Sequence, residues 1–241
     1  MCWSYEVSLT FVYLFIFTNI CYIYARPKYW IEYLMFGTFY LVMEVFQTIQ
    51  WMYGDIYNNT LQGVNHCSII NQKYTIIAHI LIWLQPLLFS IIGYRTATNK
   101  IFFKYLNYIN LFVLIFSMVN LCSGFYKDNY YQINNSIFGL STCTDTGITG
   151  HLVWRFKPSS IEYFPHYLMY FIMCTLSFLM YDRRQTQIIG IGWLSTLIIT
   201  KLVLWPDRLE LASSWCLLSI VANVIILVYN LILKLNVIFD I

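Results

Sequence analysis

Residues 74–94 read YTIIAHILIWLQPLLFSIIGY, a stretch without Asp, Glu, Lys or Arg. A helix rises about 1.5 Å per residue, so this segment matches a hydrocarbon core of about 30 Å. A buried helix of a water-soluble domain is usually shorter and carries a polar stripe. Six further segments repeat the pattern, at Ser8–Ala25, Tyr33–Gly54, Tyr105–Gly124, Tyr163–Tyr181, Gln185–Trp205 and Leu211–Leu233. Within all seven, only Glu44 and Lys201 place a full charge. Tyr and Trp crowd the segment ends (Tyr24, Trp30, Trp51, Tyr74, Tyr94 and Trp205 among them), as interfacial aromatics do. The expected fold is an all-α integral membrane bundle of seven transmembrane helices, forming one domain over residues 1–241.

Composition supports the same class. Hydrophobic residues make up 59% of the 241 and charged residues 10%, too few to cover a water-facing surface. The net charge of +3 is scattered, without the basic run that nucleic-acid binding needs. The N-terminus, MCWSYEVS, lacks a basic region ahead of the first apolar run, so that run is expected to be retained as a helix.

Orientation follows from Lys and Arg in the connections. One side holds Arg26, Lys28, Arg95, Lys100, Lys104, Arg183, Arg184 and Lys234. The other holds Lys73, Lys127, Arg155, Lys157 and Arg208, three of them in one long loop. The richer side is expected in the cytosol, with the N-terminus outside and the C-terminus cytosolic. The sequons at Asn58 and Asn134 then fall in outer loops, as candidate glycosylation sites. Cys67 and Cys143 share that side and are candidates for a disulfide or for two free thiols; seven Cys leave the pairing open. The expected location is a membrane of the endoplasmic reticulum or secretory pathway, the plasma membrane or a viral envelope.

The longest connection, residues 125–162, is an outer loop too rich in apolar groups to be left in water. Turn chemistry over Thr142–Gly150 precedes an alternating stretch, His151–Phe156, which suggests a short strand or hairpin. The loop reads either as a folded cap over an outward cavity or as a segment folded for packing alone.

Ionisable groups inside a span are costly and mark candidate sites. Glu44, Gln47, Thr48 and Trp51 share one face of the second segment, and that face should point inward. His79, Trp83 and Gln85 lie in the third, where Pro86 suggests a kink. Lys201, Asp207, Glu210, Ser213 and Ser214 cluster around the junction of the last two segments. With His151 and His166 of the long loop, all of these fall toward the outer side, where they can form a polar pocket for a small molecule or lipid. Each also has a structural reading: Glu44 and the Asn residues as ties between helices, Lys201 as a snorkelling cation, and Asp207 as a helix cap. An alternative function is a lumenal-side intramembrane lipid hydrolase. Glu44, His79 and Glu210 would then do acid–base work or hold a metal. Alkaline ceramidases share that architecture, but this chain lacks their paired histidines. No retinal is expected, because Leu211–Leu233 carries no Lys. The expected partners are the bilayer and such a ligand, not nucleic acid. Composition and motifs say nothing of oligomeric state or of any further cofactor.

The blocks GHLVWRF (Gly150–Phe156) and ELASSWC (Glu210–Cys216) resemble uncharacterised seven-helix proteins of large DNA viruses and some protists. The resemblance implies the architecture and carries no activity with it.

Overall fold

The computed structural model describes residues 4–53, 69–127, 143–146, 150, 152–155 and 167–203, together with eight positions between 220 and 232. The elements in chain order are α1 (Tyr5–Ala25), α2 (Trp30–Tyr53), α3 (Ile69–Thr96), α4 (Lys100–Lys127), β1 (Cys143–Thr146), β2 (Leu152–Arg155), α5 (Tyr167–Leu179) and α6 (Arg184–Val203). The described positions between 220 and 232, within the expected last segment, are helical as well. Among the described residues the fold is therefore helical, with a small antiparallel hairpin in the long connection.

Among the described residues, three helical stretches are long and apolar enough to cross a membrane: Tyr5–Ala25, Ile70–Thr96 and Lys100–Val119. Leu168–Leu179 and Thr186–Leu202 are apolar but shorter. α2 has 24 residues, yet Glu32, Glu44, Gln47 and Gln50 interrupt its apolar character. All four are buried. Of the seven expected segments, the first, third and fourth thus qualify by themselves among the described residues. α2 differs in the polar groups it buries against its neighbours: Glu32 meets Arg95 of α3, and Gln50 meets the Tyr74 carbonyl.

α3 is the central element, packed on α2, α4, α5 and β1, while α1 lies on α2 and α6 on α5. Aromatic rings fill the junction. Phe89 of α3 lies 4.7 Å from Phe178 of α5, which in turn lies 5.0 Å from Trp193 of α6. Both contacts are tilted, the geometry ring quadrupoles favour over face-to-face stacking. Tyr22 of α1 sends its hydroxyl to the Leu227 carbonyl at 2.9 Å, tying the last described helical positions to the first helix. Small residues let helices approach closely. A Cβ added at Gly93 would stand 2.1 Å from the Phe103 ring of α4, and one at Gly190 would stand 2.7 Å from Phe178 Cβ. Away from the core, large apolar side chains form exposed stripes. Tyr13, Phe17, Ile20 and Tyr24 lie along α1, and Tyr105, Ile109, Phe112 and Phe116 along α4. Stripes of that extent are unusual on a surface meant for water.

The three short connections meet at one end of the bundle. Arg95, at the end of α3, reaches Glu32 near the start of α2 at 2.6 Å. Arg183 Nε donates to the Thr96 carbonyl at 3.3 Å. Lys100 Nζ donates to the Tyr94 and Arg95 carbonyls, neutralising the C-terminal end of α3. In the connection between α1 and α2, Arg26 (φ 44) and Tyr29 (φ 63) both adopt the left-handed backbone, at a cost of about 1–2 kcal/mol each.

Asp182, between α5 and α6, accepts hydrogen bonds from the Thr98 hydroxyl and from the Thr98 backbone N–H, the latter at 2.7 Å. The Thr98 hydroxyl foremost holds its carboxyl below the ordinary value of 3.8. A depressed folded-state value stabilises the fold above the unfolded value, and that contribution disappears as pH falls through the folded one. Asp182→Asn is therefore expected to lower the melting temperature at pH 6, by an amount that shrinks as pH falls below 3.8. Thermal denaturation of both proteins across that range in detergent checks this.

Candidate functional site

The end opposite the basic connections is where the hairpin enters the helices. In the β1–β2 register Thr144 stands across from Trp154. Thr144 sends its backbone groups the other way: its N–H donates to Asn71 Oδ1 at 2.9 Å, and its carbonyl accepts from Asn71 Nδ2 at 2.7 Å. Thr144 and Trp154 are thus a non-hydrogen-bonded pair of the ladder. The carboxamide of Asn71 serves as the missing neighbouring strand and closes an edge that would otherwise be unsatisfied. The Thr144 hydroxyl is 2.7 Å from that of Thr75, one turn along α3, and accepts from Gln50 Nε2 of α2 at 3.2 Å. Gln50 Oε1 accepts from Trp154 Nε1 at 3.2 Å. Asn71, Thr75, Gln50 and Thr144 are all buried, so this clasp is inside the protein and not at its rim.

Below the clasp runs a polar seam between α2 and α3. Glu32 meets Arg95, Tyr40 meets Gln85, and Gln50 reaches the Tyr74 carbonyl. Each step of eight to ten residues along α2 is matched by ten or eleven in the reverse direction along α3, so the two run antiparallel in steady register. That register places both Glu44 and Gln47 within a turn of the level of His79. Glu44 is 0% exposed, Gln47 1% and His79 2%, with buried Ser8 of α1 interacting with the Glu44 carboxyl. The sequence expectation that this face of α2 points inward agrees with the burial.

His79 Nε2 accepts from Trp83 Nε1, one turn along α3, at 3.1 Å. An accepting Nε2 requires the neutral ring with its proton on Nδ1, and it commits that lone pair to Trp83. Gln85 donates to the Tyr40 hydroxyl at 2.6 Å and accepts from the Tyr170 hydroxyl, so it ties α2, α3 and α5 together. Next to Pro86, Asn110 of α4 donates to the Pro86 carbonyl at 2.9 Å and to Ser90 Oγ at 2.8 Å. This is the interhelical role expected for such an Asn.

Trp51 is half-buried at the end of α2, and Lys201 is exposed on α6. His151, His166, Asp207, Glu210, Ser213, Ser214, Cys67, Asn58 and Asn134 lie outside the described residues, as does the Cys143 side chain. The structure therefore bears on the candidates of α2 and α3 and not on their grouping with Glu210. Among the described residues, no three His, Cys, Asp or Glu side chains are grouped to hold a metal. Sequence reading did not single out Tyr40, Gln50, Asn71, Thr75, Thr144 or Tyr170. A signal existed for Gln50, which follows Gln47 by three positions on the same helix face. None existed for Thr144, one of several threonines in TCTDTGIT.

A family model matches residues 6–237, nearly the whole chain, and its description is a family of unknown function, DUF5765. The chain belongs to that family. It is 54% identical over 230 residues to an uncharacterised protein of Acanthamoeba polyphaga mimivirus, a match covering 95% of each chain. The expected resemblance to proteins of large DNA viruses agrees with this relative. No solved structure matches the chain. For this DUF5765 member, then, the chemistry of the seam and of the hairpin is what a functional reading has to rest on.

Proposed function

We propose that this chain is a multi-pass membrane protein of seven spans whose buried polar seam binds a small molecule or lipid approaching from the hairpin side. The supporting observation is the burial of Glu44, Gln47 and His79, which the α2–α3 register sets within about a turn of one another between the Tyr40–Gln85 pair and the clasp that carries the hairpin. Polar groups at that depth cost several kcal/mol unless they serve one another or a ligand (about 2.5–3.5 for a charge on insertion scales). The exposed apolar stripes of α1 and α4 are read as lipid-facing. The basic end is read as cytosolic by the positive-inside rule, which puts the N-terminus and the hairpin outside or in the lumen. That topology is common to the endoplasmic reticulum, the secretory pathway, the plasma membrane and a viral envelope.

The test is to purify the protein in mild detergent, extract it with organic solvent and identify what co-purifies by mass spectrometry. A compound present in wild type at near-equal stoichiometry and depleted at least tenfold, roughly 1.4 kcal/mol, in Glu44→Gln is the expected result. A carboxyl that only ties helices predicts the opposite. The extracts of wild type and Glu44→Gln would then match that of empty micelles, and the ligand reading would be wrong.

A further inference from the structure

In the connection between α1 and α2, two cations are met by no acid of the described residues. Among the described residues, the acids at this end are Glu32 and Asp182. Glu32 is engaged by Arg95, and Asp182 by Thr98 and Arg183. Arg26 and Lys28 meet neither. The Arg26 guanidinium lies 5.5 Å from the centre of the Trp30 ring, with its Nε donating to the Ile23 carbonyl at 3.4 Å. Lys28 Nζ lies 5.3 Å from the centre of the Tyr29 ring. Two left-handed residues in a four-residue turn, Arg26 and Tyr29, set this arrangement, and non-glycine residues take that backbone only where the surroundings enforce it. Both cations are exposed, and next to them Tyr24 is 92% exposed. Stacking on a ring orients a cation without neutralising it, leaving its outer N–H groups for an anion. Tyr and Trp beside such cations are at home at the depth of lipid headgroups.

We infer that this turn is a docking site for the phosphate of an anionic phospholipid headgroup, with Arg26 and Lys28 as its cations and Tyr24, Tyr29 and Trp30 as its interfacial anchor. The inference rests on the membrane reading above. A cation near an anionic leaflet strengthens binding about fivefold, so the pair contributes about 30-fold.

The experiment reconstitutes the full chain into vesicles of phosphatidylcholine, alone or mixed with phosphatidylglycerol, and counts retained lipids by native mass spectrometry. Arg26→Asn with Lys28→Gln is the test variant, because Asn tolerates the left-handed backbone. Lys104→Gln removes an exposed cation from the same end as a control. Wild type and the control should retain phosphatidylglycerol over phosphatidylcholine, and the double variant should lose about 30-fold of that preference while melting at the same temperature. Equal preference in wild type and double variant overturns the site. Displacement of phosphatidylglycerol by millimolar inorganic phosphate overturns the headgroup as its source. A chain that fails to float with phosphatidylcholine vesicles overturns the membrane reading as well. Flotation without headgroup preference overturns this inference alone.

Discussion

Asn71→Ala is expected to release the hairpin from the helices and to destabilise the protein by about 2–6 kcal/mol. The side chain satisfies both the N–H and the carbonyl of Thr144, which is fully buried. Alanine leaves both without a partner and without room for replacement by bulk water, and each orphaned group costs about 1–3 kcal/mol. Asn71→Asp is expected to be nearly as damaging. A carboxylate still accepts from the Thr144 N–H but turns an oxygen toward its carbonyl, where Asn donates. Thr75→Val removes one hydroxyl pair and should cost about 1 kcal/mol. Limited proteolysis between α4 and α5 separates hairpin release from general unfolding. Cleavage should accelerate in Asn71→Ala well below the melting temperature of the helices. Unchanged protection in that variant would mean that β1 is held by something other than this carboxamide.

The second large effect is expected at Gly93. A Cβ there would lie 2.1, 2.4 and 2.5 Å from Cε1, Cζ and Cδ1 of Phe103, a ring with no exposed surface into which to retreat. Overpacking a dense core commonly costs about 1–3 kcal/mol, and an obstruction by a rigid ring belongs at the upper end. Gly93→Ala should therefore lower the melting temperature sharply. Combining it with Phe103→Leu should recover part of the loss, because the smaller side chain vacates the space the methyl needs. The two substitutions are in contact, so their combined effect is expected to be less than additive, and a double-mutant cycle measures the difference. Strict additivity would refute a direct clash. Gly37→Ala makes a useful contrast. Its Cβ would meet Asn19 Oδ1 at 2.4 Å, but that atom ends a flexible side chain and can turn aside.

Much of the bundle was legible before any coordinates. The expected bounds Ser8–Ala25 and Tyr105–Gly124 fall within α1 and α4, and Tyr33–Gly54 overlaps α2 to within a few residues. Long apolar runs ended by aromatics have few alternatives to helix, since a helix satisfies its own backbone without help from solvent. The inward turn of Glu44 and Gln47 was legible for a related reason: a spacing of three on a helix puts both on one face, and that face is buried. The hairpin was partly legible, because alternation and turn residues mark strands locally. Its partner was not. Asn71 lies just before the apolar run that opens at Tyr74, where a polar residue has no reason to attract notice. Only the antiparallel return of the chain brings Thr144 beside it.

The sequence alone determined that the chain is helical, where its apolar helices run and which end collects Arg and Lys, because hydropathy, helical period and charge are properties of contiguous residues. The tertiary structure decided which polar groups serve as ties. Trp83 takes up His79 Nε2, Gln85 is held between Tyr40 and Tyr170, and Asn71 stands in for a strand. Those pairings join residues as many as 85 positions apart. A hydrogen bond depends on a few ångströms of separation and on angle, and these emerge only when helices pack.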